Sequence, residues 1–383
     1  MRILLVAQFF WPKLGGAEVV LRELAREWVR QNHAVTVLTT RLSPHLPSRE
    51  TEMGVVIERR PFGEHRFIGT PLYLARTMFW IRTQLPRFDA VCVSMLKYAA
   101  LSACTMRTTN GAPLVLRTEG AGSTGDVAWQ RRGLGSVVRR ACMRADRVVA
   151  ISPEIERELL DAGYPRDRVV NIPNGVQIPD SVWSPGNTSP ERRRLGLPDV
   201  PTLCYTGRLR PEKGLHAIVS ALPKVRAAFG PCQILLVGAG TESESLAREA
   251  AALGVSEAVH FPGRVDDVTP WLRAADVFVL PSHVEGLSIS LLEALAIGIP
   301  AVASDIEANR ALVPEALLPC FPPGNSDALA ETVVARLRSP ESERIASEAR
   351  RLVVGRFGLP GVASRYVDLF GEISRDRANR VMG

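Results

Sequence analysis

A chain of 383 residues, 46% apolar and 23% charged, is long enough for two or three domains with their own cores and has the composition of a soluble globular protein. No run approaches the roughly 18 uninterrupted apolar residues of a spanning helix, and the six scattered cysteines form no C-x-x-C pair, which argues for free thiols in a reducing cytoplasm rather than disulfides or zinc. The net charge of +7 admits phosphorylated substrates, an anionic membrane surface or nucleic acid as partners, but no nucleic-acid motif accompanies it and the few aromatics do not interleave with the basic residues, so nucleic acid is set aside.

In chain order, the opening MRILLVAQFFW lacks a small-residue cleavage site and reads as a first buried strand rather than a signal peptide. Strands are predicted at Ile3–Phe9, Ala34–Thr39, Ala90–Ser94, Pro113–Arg117, Arg147–Ile151 and Val169–Ile172, with helical runs between them, notably Ala17–Gln31 and Ala75–Leu85. Residues 177–200 carry four prolines and no apolar rhythm, the signature of a linker. The alternation then restarts, with strands at Thr202–Thr206, Gln233–Val237, Val259–Pro262, Val277–Leu280 and Ala301–Ser304. Strands alternating with helices predict parallel sheets covered on both faces: an α/β protein of two doubly wound domains, residues 1–176 and 201–361, with ligand in a central cleft at the carboxyl ends of the strands.

Three stretches carry chemistry, and a fourth that invites a dinucleotide reading is set aside. The first strand runs into QFFWPKLGGAE, where Gly15 and Gly16 let backbone approach a ligand closely at the start of a helix; a plain flexible loop is the alternative. YTGRLRPEKG follows a strand ending at Gly207, and Arg208 and Lys213 project from its loop, one a planar fork and the other a point charge suited to a phosphate cluster. PSHVEGLSISLLEALAIGIPAVASD reads strand, tight loop, helix, strand. Its helix is predicted to start at Ser290 through a Ser-x-x-Glu capping pattern to Glu293, with the N–H groups of Gly286, Leu287 and Ser288 facing an anion just before it. Glu285 and Glu293 would then accept bonds from hydroxyl pairs, or serve merely as a loop charge and a capping acid. VGAGTES lacks the third glycine of a dinucleotide fingerprint, Ser243 standing in its place, and no nicotinamide site is assigned.

Together these motifs resemble the retaining nucleotide-sugar glycosyltransferases of the GT-B fold, the glycosyltransferase family 4, group 1 type that includes mannosyl- and glucosyltransferases of envelope assembly. G-G-A-E is similar to that family's first loop against the donor diphosphate. G-R-L-x-x-x-K-G is similar to its diphosphate-binding pair, and E-x7-E with E-A-x-A-x-G-x-P to its donor-sugar motif. FPGRV, with Arg264 and Val265, resembles the loop that meets the nucleotide base. The resemblance implies that Arg208 and Lys213 stabilise the departing diphosphate without a metal or cofactor, that Glu285 holds the sugar, and that Glu293 holds the ribose. It implies an acceptor that is a glycan or lipid-linked glycan of envelope or exopolysaccharide assembly, a cytoplasmic protein peripheral to the inner face of the membrane, and a C-terminal helix, 362–383, that completes the first domain. A sugar-nucleotide epimerase of the same fold and a non-catalytic nucleotide-sugar-binding protein are the alternatives.

Two places depart from the family pattern. IPNGVQ has Gln177 where aspartate is usual, and RTEGAGSTGD, 117–126, has Thr118 and Glu119 where many relatives carry a histidine. Glu119 is assigned to the acceptor side, where it would orient the acceptor hydroxyl; a surface pair with Arg117 or Arg131 is the other reading. The stretch 70–88, apolar around most of a helix with Arg76, Arg82 and Arg87 interspersed, predicts a buried helix, or else a face against lipid. RRGLGSVVRRACMR adds five arginines at 131–144.

Overall fold

Runs of Val, Ile and Leu with no polar alternation belong to strands buried on both faces, and such runs build two separate sheets. The computed structural model describes residues 1–12, 15–61, 69–106, 111–122, 125–180 and 182–382. The chain divides into a first unit, Met1–Gly175 together with the segment from Leu359 onward, and a second unit, Val176–Gly358.

The first unit holds eight strands: β1 (Arg2–Val6), β2 (Ala34–Arg41), β3 (Arg49–Glu52), β4 (Val55–Pro61), β5 (Ala90–Ser94), β6 (Leu114–Arg117), β7 (Arg147–Ala150) and β8 (Val169–Asn171). Their order is β3-β4-β2-β1-β5-β6-β7-β8, parallel except for the β3–β4 hairpin. The chain reverses direction across the sheet between β1 and β5, the place where doubly wound sheets take their ligands. The helix from Leu359 to Met382 belongs to this unit. Trp28 of the first helix donates its indole N–H to the Ala363 carbonyl at 3.2 Å, and Tyr366 stands edge-on to Trp28 at 5.8 Å. Arg377 grips both oxygens of Asp146 at 2.7 Å.

The second unit holds β9 (Thr202–Thr206), β10 (Gln233–Val237), β11 (Val259–Gly263), β12 (Val277–Leu280), β13 (Ala301–Ser304) and β14 (Cys320–Phe321). All are parallel in the order β11-β10-β9-β12-β13-β14, so this sheet reverses between β9 and β12. β9, β10, β12 and β13 are buried along their whole length.

Three expectations are corrected. Residues 177–200 are not an irregular linker. They carry a helix, Pro185–Arg194, and belong to the second unit. Its anchor is polar: buried Arg192 donates to the Ala274 carbonyl and to Asp276, at 3.1 and 2.8 Å, while Trp183 donates to the Ala275 carbonyl. The hairpin β3–β4 and the short edge strand β14 were not expected. The helix Gly69–Gln84 is not buried all round: Thr77, Ile81 and Leu85, spaced by four, are buried, while Phe79 is 71% exposed and Arg76, Arg82 and Arg87 are exposed with it.

Candidate active site

Loops following β9, β10 and β11 in the second unit are knitted to one another by main chain. Gly207 N–H donates to Val237, Gly238 N–H to Gly263, Leu209 N–H to Ala239 and Glu242 N–H to Leu209, all between 2.9 and 3.1 Å. A Cβ on Gly238 would come within 1.8 Å of the Gly207 carbonyl oxygen, and one on Gly240 within 2.0 Å of that of Leu209. This close packing is the physical reason for V-G-A-G, which serves as scaffold. Beneath the loop, the Tyr205 hydroxyl donates to the Arg208 carbonyl at 3.1 Å. The Arg208 side chain is exposed, with no carboxylate paired to it among the described residues.

Lys213 and Glu285 were assigned different tasks, and the structure brings them together. Lys213 Nζ lies 2.6 Å from Glu285 Oε1, which also accepts from the Ser282 hydroxyl at 2.7 Å. The pair is largely sheltered, with 15% and 9% of the two side chains exposed. Gly214 makes the approach possible: it is left-handed (φ +62°), and a Cβ there would meet the Pro281 carbonyl at 2.3 Å. His283 N–H donates to the Glu212 carbonyl, tying the β9 and β12 loops together across the reversal point.

The helix after β12 runs Ile289–Ile297 and is capped by Ser288, whose hydroxyl accepts from Leu291 N–H at 3.3 Å. The expected start at Ser290 is therefore corrected, and Glu293, the fifth helical residue, is no capping-box acid. Among the described residues its carboxyl has no hydrogen-bond partner. Burial, reinforced by the charge of Asp267, pushes it up to about 7. Gly286, Leu287 and Ser288 precede the helix. In the β11 loop Arg264 is exposed and Val265 half-buried, behind a left-handed Gly263.

In the first unit, Gly15 caps the helix Gly16–Arg30 in extended conformation. A Cβ on Gly15 would come within 2.3 Å of Glu18 Oε2, whereas Gly16 has open space around it. Residues 13–14 of this loop, and 123–124 of the loop 117–126, lie outside the described residues. Glu119 pairs with Arg117, and not at the surface: the side chains are 7% and 1% exposed. Glu119 also accepts from the Ser94 hydroxyl, and Arg117 donates to Asn174. Buried Asp126 accepts from the N–H groups of both Leu96 and Glu119. Burial, opposed by Arg117, raises the Glu119 carboxyl.

Ser94, Asp126, Asp267 and Ser282 were missed. No motif spacing marks them: Ser94 and Asp267 act on Glu119 and Glu293, each about 25 residues away, Asp126 holds the N–H groups of Leu96 and Glu119, and Ser282 is an ordinary-looking serine three residues before Glu285. Asn174 stood inside the quoted P-N-G-V, but without a role.

Comparison with known proteins agrees in both units. The family model described as glycosyl transferases group 1 matches residues 200–339, and that of glycosyltransferase family 4 matches residues 14–178. A GDP-mannose-dependent monoacylated alpha-(1-6)-phosphatidylinositol monomannoside mannosyltransferase of Corynebacterium glutamicum is 27% identical over 314 residues, 79% of this chain and 80% of the relative. A phosphatidyl-myo-inositol mannosyltransferase of Mycobacterium leprae is 35% identical over 210 residues, 54% of each chain. Among solved structures, HepE of Anabaena with UDP and glucose aligns at a TM-score of 0.77 and 22% identity, covering 97% of this chain and 99% of that one. Sucrose-phosphate synthase of Thermosynechococcus elongatus aligns at 0.80 and 20%, with the same coverage.

Proposed function

The chain belongs to the group 1, family 4 glycosyltransferases of the GT-B fold, and from that premise we propose that it transfers a sugar, with retention at the anomeric carbon, from a nucleoside diphosphate sugar to a hydroxyl of a glycan or lipid-linked glycan used in envelope or exopolysaccharide assembly. The observation that carries this reading is the Lys213–Glu285 pair beside exposed Arg208, at the reversal point of the second sheet. A cation pair aimed at charge developing on the leaving diphosphate is the largest kind of electrostatic help an active site gives, so Arg208 and Lys213 take the part a metal would otherwise play. Glu285, held by Lys213 and Ser282, is placed to receive sugar hydroxyls. Glu293 accepts the ribose hydroxyls, which supply the donors it lacks. Gly286, Leu287 and Ser288 offer amides to the anionic part, and Arg264 and Val265 flank the base. The likeness of G-G-A-E to the family's first loop adds Gly15 and Gly16 to the candidate diphosphate contacts. The acceptor hydroxyl passes its proton to the leaving phosphate, and Glu119 orients it.

The names of relatives support a nucleotide donor and a glycolipid acceptor: the Corynebacterium protein is named for GDP-mannose and a phosphatidylinositol monomannoside, and HepE was crystallised with UDP-glucose. A cytoplasmic, membrane-peripheral location fits exposed Phe79 on the same helix as exposed Arg76 and Arg82, and exposed Leu134 and Val137 near exposed Arg132 and Arg140 in sequence, mixtures suited to anionic lipid. No helix among the described residues is long and apolar enough to cross a membrane. A thermal-shift panel of nucleoside diphosphate sugars, followed by transfer assays with the best binder, tests the reading: binding to the native state raises the melting temperature, and no shift with any donor contradicts it.

A further inference from the structure

Arg336 lies in the last turn of the helix Ser326–Arg338 with only 4% of its surface exposed. One N–H of its guanidinium, on Nη2, donates to the Leu317 carbonyl at 3.2 Å, and its Nε is buried with no acceptor. No carboxylate pairs with it among the described residues. Burial alone pushes it down to about 10, so it is still a cation at neutral pH. A charge held inside a protein ordinarily has a counter-charge, since leaving one unpaired is costly.

Arg336 is one of the residues that line an open depression of about 690 Å³, together with Pro319, Cys320, Thr332, Ala335 and Ser339. The walls come from the helix Ser326–Arg338 and its C-cap Ser339, the turn before β14, β14 itself, and Ile345 of the helix Ser342–Phe357. None of the residues assigned to sugar transfer is among them. Glu315 and Glu331 also line the depression but are exposed, and their charge disfavours an extended polyanion there.

We propose that the depression is a binding site for a small oxyanion, a carboxylate or a phosphate monoester, whose oxygens take the N–H groups that Arg336 leaves unused. A planar guanidinium fork matches either head group through two parallel bonds. The site is separate from the donor site and would be occupied independently of the sugar nucleotide.

Cys320 supplies the probe, because it is the one cysteine of the six that is not buried. The experiment compares rates of Cys320 alkylation by iodoacetamide in the full chain at about pH 8.5; burial, with Asp305 and Glu315, pushes the thiol up to about 11, so the reaction is slow and is followed over long incubations as a ratio between salts. Ionic strength is held constant with chloride, acetate or inorganic phosphate. Several-fold slowing by phosphate, acetate or both relative to chloride is expected, and the anion that protects identifies the head group. Arg336→Gln should abolish the protection. Should that variant not fold, Ala335→Trp, which fills the depression from an exposed position, should remove the dependence on the anion. Equal rates in all three salts, or protection that persists in either variant, overturn the proposal.

Discussion

Lys213 Nζ and Glu285 Oε1, 72 residues apart in sequence, stand 2.6 Å from each other where the β9 and β12 loops meet. Each side chain serves the other while the donor is absent, since neither charge is left unpaired in a sheltered place. Lys213→Ala should therefore do two things. It should lower turnover by on the order of 100-fold through loss of charge stabilisation, and it should cost about 1–3 kcal/mol of stability by stranding Glu285. Chemical denaturation beside a transfer assay checks both, and loss of neither would show that the pair is incidental.

Among the described residues, Glu293 has an unpaired, half-buried carboxyl that the proposed ribose hydroxyls would satisfy. Its carboxyl is raised to about 7 from 4.5 in the unfolded chain, by burial first and Asp267 second. The folded state thus binds the extra proton, and stability falls as pH rises from about 4.5 to 7. Glu293→Gln should raise the melting temperature of the ligand-free protein at pH 8 and weaken donor binding by roughly 1.5–3 kcal/mol. Calorimetry and thermal melts at pH 6 and 8 separate this from a structural role, which would leave donor affinity intact.

His216 bridges Glu249 and, at 2.9 Å, Glu242. Burial lowers its pKa, but the bonds and charges of Glu249 and Glu242 outweigh that, and the net direction is upward from 6.5. The stabilisation is fully present below 6.5 and is lost as pH rises through the higher folded value. Melting temperatures of wild type should fall across that window, and His216→Ala should flatten the slope. A parallel pH profile in the variant would remove His216 from the account.

Glu119→Gln should leave donor affinity unchanged and slow transfer, because the residue belongs to the first unit's loop after β6. Its burial against Arg117 adds a second expectation. Glu119→Ala should be strongly destabilised, by about 3–5 kcal/mol, since it leaves a buried guanidinium without its counter-charge. Donor calorimetry on the Gln variant decides the assignment: weakened donor binding would contradict it.

Much of the second unit was legible in the sequence because continuous apolar runs leave one reading: Thr202–Thr206, Gln233–Val237, Val277–Leu280 and Ala301–Ser304 begin and end where expected. The hairpin β3–β4 was not, since its turn uses Met53 and Gly54 at φ +47° and +83° instead of Asn-Gly, and its edge strand, Arg-Glu-Thr-Glu, has no apolar face to read. The helix Pro185–Arg194 is polar throughout and held by the ion pairs of Arg192, which leave no periodic trace. Ser288 and Ser290 both fit a cap, and the chain enters the helix two residues too early for the Ser-x-x-Glu pattern to form. Motif spacing marked Lys213 and Glu285 singly. Their pairing depends on two loops made adjacent by strand order, and the surroundings of Glu119 on Ser94 of β5, Arg117 of β6 and Asp126 of a short helix.

The most direct test of the central claim is the turnover of Arg208→Ala with the nucleoside diphosphate sugar that most stabilises the wild-type protein. Arg208 is exposed and its side chain has no hydrogen-bond or ion-pair partner among the described residues, so the variant should keep its fold and melting temperature. Turnover should drop by on the order of 100-fold or more, as removal of charge stabilisation at a leaving diphosphate requires. Near-native turnover in a folded Arg208→Ala protein would contradict the assignment of this loop to the chemistry.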